Sequence, residues 1–254
     1  MSDDLVSFKM LVVSSVEAER DLLRECAAKA SFPVDYVEAA NPSDTAAICG
    51  SLARDALDFV FVDSGFHKNH RQAVYQAALA SRGRPLVVFV GPAGLAAREL
   101  ALAGPSADGL LSRPFAAPEA GAMINLCARA RLPKQVLLVD DSANVRAVVR
   151  KVLQSSRFRL EIAEAADGAS AVEQIAGQRF DFVLLDCDMV DSFTTLDRLK
   201  RARHDMAVVM IASTKDARID DRARAAGADG FLFKPFYAND IDAVLSRLLG
   251  LVMK

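Results

Sequence analysis

The sequence has too few histidines and cysteines, and too little net charge, for several common classes of functional site. It contains 3 histidines and 4 cysteines, and Cys26, Cys49, Cys127 and Cys187 are scattered with no Cys-x-x-Cys pair. We therefore expect reduced thiols, as in a cytoplasmic protein, and neither a disulfide framework nor a zinc site. The formal net charge of −2 gives no electrostatic reason to expect binding to nucleic acid or to an anionic membrane.

Long apolar segments are also lacking. The longest uninterrupted apolar runs, such as Leu86–Val90 and Ala207–Ala212, are strand-sized and far shorter than the ~18 residues that a membrane helix needs. Residues 1–9 include acidic residues where a signal peptide would be basic. The chain also has no Gly-rich ATP-binding loop that would make it a kinase. These features favour a soluble, cytoplasmic protein.

What the sequence does contain is an internal repeat. DFVFVD at residues 58–63 matches DFVLLD at 181–186, an offset of 123 from Asp63 to Asp186. ADG followed by RPF in residues 107–115 matches ADG followed by KPF in residues 228–236, an offset of 121. Because the offsets differ by only a few residues, the same fold is expected twice. The boundary falls near Leu132, which predicts domains at residues 1–132 and 133–254.

Each half alternates short apolar segments with amphipathic ones. The strands predicted in the second half are Gln135–Val139, Leu160–Glu164, Phe180–Leu185, Val208–Ala212 and Gly230–Phe233. The first half repeats the scheme, with helices starting at Asn41-Pro42 and Ala117-Pro118. Five strands alternating with five helices favour a doubly wound parallel sheet. We therefore predict an α/β protein with two flavodoxin-like (βα)5 domains of strand order 2-1-3-4-5.

The helix after the first strand of the second half has an apolar stripe. We expect its members to face the sheet together: Val145, Val148, Val149, Val152 and Leu153. Asp141 or Ser142 is the expected N-cap of this helix.

Charged residues follow three strands of the second half. Asp140 and Asp141 end the first strand, Asp186 ends the third and Lys234 ends the fifth. Ligands of such folds lie at the carboxyl ends of the strands, so we expect the three carboxylates to converge opposite the ammonium group. Close carboxylates repel each other unless a cation neutralises them, and oxygen ligands suit Mg²⁺. One carboxylate of such a site can accept a phosphoryl group.

The combination of VLLVDD at 136–141, Arg146, Asp186 and KPF at 234–236 resembles the receiver domain of two-component response regulators. The resemblance covers about all of residues 134–254. Each piece is weak alone, but the combination with its spacing is specific. With the repeat, it indicates tandem receiver (CheY-like) domains, of which the first is degenerate.

The resemblance implies a role for each residue of the acidic group. Asp186 would be the phosphoacceptor and Asp141 a direct Mg²⁺ ligand. Asp140 would act mostly through metal-bound water, and the backbone carbonyl of Asp188 would be a third protein ligand. Lys234 would pair with the phosphoryl group.

The second half departs from the family at its switch position. That position, usually Thr or Ser, is Ala212, which cannot donate a hydrogen bond worth about 1.5–3 kcal/mol when it is charge-assisted. Ser213 or Thr214 could substitute only if the loop shifts. Phe231 occupies the place where the family often has a rotating aromatic residue. We therefore expect a site that can be phosphorylated but has weakened or rerouted coupling.

The first half has lost most of the acidic site. Ser14 and Ser15 replace the acidic pair, Gly91 stands at the switch position and Arg113 replaces the lysine, while Asp63 remains. One carboxylate and two hydroxyls are a poor Mg²⁺ site. We expect a pseudo-receiver used for binding or dimerisation, in which Asp63 pairs with Arg113 as a structural ion pair.

The favoured function is a response regulator phosphorylated at Asp186 by a histidine kinase or a histidine phosphotransferase. Only Leu251–Lys254 remains after two receivers, so the sequence predicts no DNA-binding or enzymatic output domain and a signal passed to a downstream protein by contacts. The expected surface comprises Ala217–Ala226, Gly230–Phe233 and Asn239–Leu249. Self-dephosphorylation would be tuned by Asp188 and Thr214.

Two other functions stay open. The first is a phosphorylation-independent scaffold or adaptor, which Ala212 and the degenerate first half favour. The second is a phosphatase, because Asp186-Cys187-Asp188 also fits the Asp-x-Asp of haloacid-dehalogenase-like phosphatases. That fold carries the motif on its first strand, whereas two βα units precede it here.

Overall fold

The structure is a computed structural model that describes residues 6–39, 48, 50, 56–81, 83–92, 107–214 and 217–251. The chain divides into two compact units, Met1–Arg131 with Leu249–Lys254, and Leu132–Leu248. The helix start predicted at Asn41-Pro42 lies outside the described residues.

The first unit contains a parallel sheet of five strands in the order β2-β1-β3-β4-β5. In chain order its described elements are β1 (Phe8–Val13), α1 (Glu17–Ala28), β2 (Val34–Ala39), β3 (Phe59–Asp63), α2 (Lys68–Ala80), β4 (Leu86–Pro92), β5 (Gly109–Arg113) and α3 (Ala117–Arg131). Pro118 lies in the first turn of α3, where its missing N–H has no partner to lose.

The second unit repeats this topology. Its elements are β6 (Lys134–Val139), α4 (Ala143–Gln154), β7 (Leu160–Ala165), α5 (Gly168–Gly177), β8 (Phe182–Asp186), α6 (Ser192–Ala202), β9 (Ala207–Ala212), α7 (Ala217–Ala225), β10 (Gly230–Phe233) and α8 (Ala238–Leu248). The strand order is β7-β6-β8-β9-β10, with all pairs parallel. Both sheets therefore have the flavodoxin-like order 2-1-3-4-5, and the predicted fold class is confirmed.

The central strands are apolar because helices cover both faces of each sheet. All five residues of β8 are buried, and Val183 and Leu185 point into a cluster with Ile175 of α5 and Leu196 of α6. Residues that alternate with these point to the opposite face. A strand buried on both faces reads as a continuous apolar run.

The apolar stripe predicted for α4 is wrong at Val148, whose exposed fraction is 63%. Val149 and Leu153 are the buried residues of this helix. Successive helical residues point about 100° apart, so a stripe centred on Val149 leaves its predecessor at the edge facing solvent. Ser142 is the N-cap, as predicted, and its hydroxyl accepts a hydrogen bond from the N–H of Val145.

Aspartates at equivalent places in the two units fix where strands begin. Asp181 Oδ2 accepts a hydrogen bond from the N–H of Gln135 at 2.8 Å, and Asp58 Oδ2 accepts one from the N–H of Lys9 at 3.0 Å. The repeated hexapeptide therefore starts with a structural aspartate and ends with a strand-end aspartate. By holding the register of β6 and β8, Asp181 helps to place the residues at their other ends.

Among the helices that the structure describes, none has the length and apolar character needed to cross a membrane.

Candidate metal centre

Three carboxylates meet at the carboxyl ends of β6 and β8. These strands are hydrogen-bonded neighbours in which Val139 lies opposite Leu185, so the residues that follow them lie side by side. One oxygen from each of Asp140, Asp141 and Asp186 lies within 4.8 Å of the others. Among the described residues, Asp140, Asp141 and Asp186 form the group of three His, Cys, Asp or Glu side chains that could hold a metal ion.

Lys234 lies across from the carboxylates, directly after β10. Its Nζ is 3.0 Å from Asp186 Oδ1 and 3.3 Å from Asp140 Oδ2. Its backbone N–H donates to the carbonyl oxygen of Ala212 at 2.8 Å. The structure thus brings together all four charged residues that the sequence places at strand ends.

The electrostatics of the group leave an excess of negative charge. Burial raises the pKa of Asp186, and the neighbouring Asp140 raises it too, while the hydrogen bond and charge of Lys234 act against both. Burial lowers the pKa of Lys234, but its hydrogen bond and charge interactions with Asp186 and Asp140 outweigh burial and leave the pKa above its usual value. One ammonium group therefore faces three carboxyl groups.

The donor set fits Mg²⁺. Asp140 and Asp186 are only 2% and 5% exposed, whereas Asp141 is exposed to solvent. Mg²⁺ prefers oxygen ligands and keeps several of its waters, which the exposed side of this group allows. Two protein neighbours orient Asp140, because its Oδ1 accepts from the N–H of Ser142 at 2.9 Å and its carbonyl accepts from Arg146 Nη1 at 2.7 Å.

The loop after β8 connects Asp186 with the end of β9. The N–H of Asp188 donates to Asp186 Oδ1 at 3.3 Å, and the Asp188 carboxylate accepts from the N–H of Ser213 at 3.2 Å. Sequence reasoning predicts roles for Asp188 in metal binding, through its backbone carbonyl, and in self-dephosphorylation, but it missed the contact of its side chain with Ser213. A loop conformation has no periodic signal that could have revealed this contact.

Comparison with known proteins identifies the family. The sequence profile of the family described as "Response regulator receiver domain" matches residues 136–246. The chemotaxis protein CheY of Bacillus subtilis (strain 168) is 30% identical over 118 residues, which are 46% of this chain and 98% of that protein. The chain belongs to the response-regulator receiver family.

Other matches cover a similar share of the chain. The transcriptional regulatory protein PrrA of Mycobacterium bovis is 34% identical over 119 residues, which are 45% of this chain and 49% of that protein. The chain therefore spans about half the length of that relative. A solved structure of chemotaxis protein CheY4 from Vibrio cholerae is 29% identical and covers 45% of this chain and 98% of that chain, with a TM-score of 0.41.

Ala212, which the sequence predicts to be the switch position, is fully buried at the end of β9. Its side chain offers no hydroxyl, and the two residues that follow, Ser213 and Thr214, are exposed. Phe231 is half-buried against the core of the second unit, and its ring centroid lies 4.9 Å from that of Phe233. The backbone of Ala212 still holds Lys234, but its side chain cannot bind a phosphoryl oxygen.

The receiver-like first unit has different groups at the matching strand ends. Arg113 Nη2 lies 2.8 Å from Asp63 Oδ1, so the predicted ion pair between them is confirmed. Sequence reasoning missed Glu19 of α1, which also binds Arg113. A glutamate in the first turn of an amphipathic helix is usually a solvated charge, so nothing in the sequence pattern singles out Glu19.

Proposed function

We propose that the second unit is a phosphoacceptor receiver in which Asp186 accepts a phosphoryl group from a histidine kinase or a histidine phosphotransferase. The observation that supports this most directly is the grouping of Asp140, Asp141 and Asp186 within 4.8 Å, with Lys234 Nζ 3.0 Å from Asp186. Members of the receiver family share this type of acidic pocket.

Each residue has a distinct part in the proposed reaction. Asp140, Asp141, Asp186 and the backbone carbonyl of Asp188 would hold Mg²⁺, which supplies positive charge for the phosphoryl oxygens when it is bound. A carboxylate oxygen of Asp186 attacks phosphorus while the bond from phosphorus to the histidine nitrogen breaks. Lys234, already paired with Asp186, lies close enough to bind the transferred group.

The proposed output is a change in protein contacts. Phosphorylation would shift the population of conformations of the surface formed by α7, β10 and α8 and so change binding of a downstream protein. The first unit would act as a binding or dimerisation module, and the protein would work in the cytoplasm. Self-dephosphorylation is expected, but no DNA-binding or enzymatic output is part of the proposal.

The test is phosphoryl incorporation from a small-molecule phosphodonor such as acetyl phosphate. With Mg²⁺, intact-protein mass spectrometry should show one added phosphoryl group on the wild type and none on Asp186→Asn. Asp191→Asn is the matched control, because this exposed aspartate lies in the same loop and its side chain makes no capping hydrogen bond. Absence of incorporation into the wild type, or equal incorporation into Asp186→Asn, would contradict the proposal.

The buried Ala212 favours a second candidate, an adaptor whose contacts do not depend on phosphorylation. Amide hydrogen exchange separates the two. A response regulator should change exchange in α7 and α8 when the phosphodonor and Mg²⁺ are added, and the change should vanish in Asp186→Asn. An adaptor should show the same exchange in α7 and α8 before and after the phosphodonor and Mg²⁺ are added.

A further inference from the structure

In the first unit, polar side chains fill the pocket that corresponds to the acidic pocket of the second. We infer that Glu19 and Arg113 close this pocket with an internal ion-pair bridge to Asp63, which takes the place of a divalent cation. The pocket is then held in one state without any ligand. This inference concerns the first unit and does not depend on phosphorylation of Asp186.

The bridge has close, two-pronged geometry. Arg113 Nε lies 2.5 Å from Glu19 Oε1, and Arg113 Nη2 lies 2.7 Å from Glu19 Oε2. The same Nη2 is 2.8 Å from Asp63 Oδ1. The planar guanidinium presents its donors in a fixed fork that matches carboxylates, and it stays protonated. One cation therefore joins α1 to the ends of β3 and β5.

The two serines that replace the acidic pair donate to this bridge. Ser14 Oγ donates to Glu19 Oε2 at 3.2 Å, and Ser15 Oγ donates to Asp63 Oδ2 at 3.4 Å. The N–H of Gly65 donates to Asp63 Oδ1 at 2.8 Å. Donors of this chain therefore reach the carboxylate oxygens that a metal ion would otherwise bind.

The first pocket also carries a smaller excess of negative charge than the second. The position of Glu19 in the first unit corresponds to Val145 in the second, one residue before the matched Arg20 and Arg146. In the first pocket two carboxylates face one guanidinium, whereas in the second pocket three carboxylates face one ammonium. The smaller excess of negative charge gives a dication less attraction.

A separate packing feature fills the switch side of the first pocket. A Cβ atom placed on Gly91 would lie 1.8 Å from Ser64 Oγ, a distance at which atoms cannot coexist. The Ser64 hydroxyl therefore occupies the space that a switch side chain would need. The first unit has replaced both the metal side and the switch side of a receiver pocket by groups of its own.

The inference predicts that restoring the acidic pair alone does not restore a metal site. We would silence the second pocket of the full chain with Asp140→Asn and Asp141→Asn, and measure Mg²⁺ binding by calorimetry. Adding Ser14→Asp and Ser15→Asp should leave binding weak. Adding Glu19→Val and Arg113→Lys as well, which copies the second unit, should tighten binding by about tenfold or more. Equal affinities of the two variants, including no binding by either, would overturn the inference.

A simpler pair of variants tests the bridge without rebuilding the pocket. Glu19→Gln should raise the unfolding equilibrium constant of the first unit by about fivefold or more in metal-free buffer, because it weakens the hydrogen-bonded ion pair. Glu17→Gln, an exposed change in the same helical turn, should leave it unchanged. Urea unfolding followed by amide exchange in the first unit measures both, and equal effects of the two variants would count against the bridge.

Discussion

At the scale of single residues, side chains next to the acidic group determine where its members lie. Arg146 joins the turn that carries Asp140 to β7: its Nη1 donates to the carbonyl of Asp140 at 2.7 Å, and its Nε lies 3.0 Å from Glu164 on β7. Arg20 makes the equivalent bond to the carbonyl of Ser14 in the first unit. The arginine thus stabilises the turn from the first strand to the first helix whether or not that turn carries metal ligands.

We predict that Arg146→Ala lowers the Mg²⁺ affinity of the second unit by about tenfold, because the turn that carries Asp140 and Asp141 loses its anchor. Arg150→Ala is the control. Arg150 lies one turn further along α4, and its Nε is 2.7 Å from Glu164. Its loss removes one ion pair of Glu164, while the bond from Arg146 to the carbonyl of Asp140 remains. Calorimetric titration should show less than about a twofold change for the control. Similar losses in both variants would show that Glu164, and not the Asp140 carbonyl, is what matters.

The strand-end rule explains why part of the site can be predicted from sequence. Asp140, Asp186 and Lys234 each lie at the carboxyl end of a strand, and parallel strands end at one edge, so their meeting requires only the correct topology. The carboxylates of Glu19 and Asp188 are different. Their contacts with Arg113 and with the N–H of Ser213 depend on rotamers and loop paths that leave no periodic pattern in the sequence.

At the scale of secondary-structure elements, a buried polar cluster joins α8 to the loop between α4 and β7. Asp242, only 4% exposed, accepts hydrogen bonds from Ser156 Oγ at 2.5 Å and from the N–H of Arg157 at 3.2 Å. Arg157 Nη2 also contacts Ser246 Oγ at 3.4 Å. The apolar spacing of α8 indicates which face packs on the sheet, but it does not show that an aspartate on that face binds a loop.

We predict that Asp242→Ala destabilises the second unit by about 3–5 kcal/mol, because it removes one partner of the buried pair between Asp242 and Arg157, whose Nε lies 3.8 Å from Asp242 Oδ2, and leaves buried donors without their acceptor. Asn239→Ala, an exposed change in the first turn of the same helix, should cost less than about 0.5 kcal/mol. Chemical denaturation followed by circular dichroism measures the free energy of unfolding of both variants. A cost for Asp242→Ala as small as that of the control would mean that the cluster is solvated and contributes little.

The sequence predicts the positions of strands and helices better than it predicts which face of a helix is buried. Short continuous apolar runs locate the strands, because both of their faces are buried, and a period of 3.6 locates the helices that cover one face. The same patterns do not fix the rotation of a helix to within one residue, and for this reason Val148 was assigned to the buried stripe although it is 63% exposed.

At the scale of the whole molecule, one topology is used twice with two different pockets. The strand-starting aspartates and the arginine of the first turn are retained in both units, since they hold the fold. The groups at the strand ends have diverged. In the second unit they leave uncompensated negative charge, and in the first they neutralise one another more fully. The two units should therefore differ in their response to one ligand.

We predict that Mg²⁺ protects the second unit from amide exchange and leaves the first unchanged. At an ion concentration about ten times the dissociation constant, binding stabilises the folded state by RT ln(1 + [L]/Kd). Amides that exchange only through openings that release the ion should therefore exchange about tenfold more slowly. The slowing should be confined to the segments after β6 and β8. The equivalent segments after β1 and β3 should exchange at the same rate with and without Mg²⁺. Asp141→Asn should abolish the effect, because it removes a carboxylate without emptying the core. Comparable protection after β3 would mean that Mg²⁺ displaces the guanidinium of Arg113 and binds in the first pocket, which would contradict the prediction.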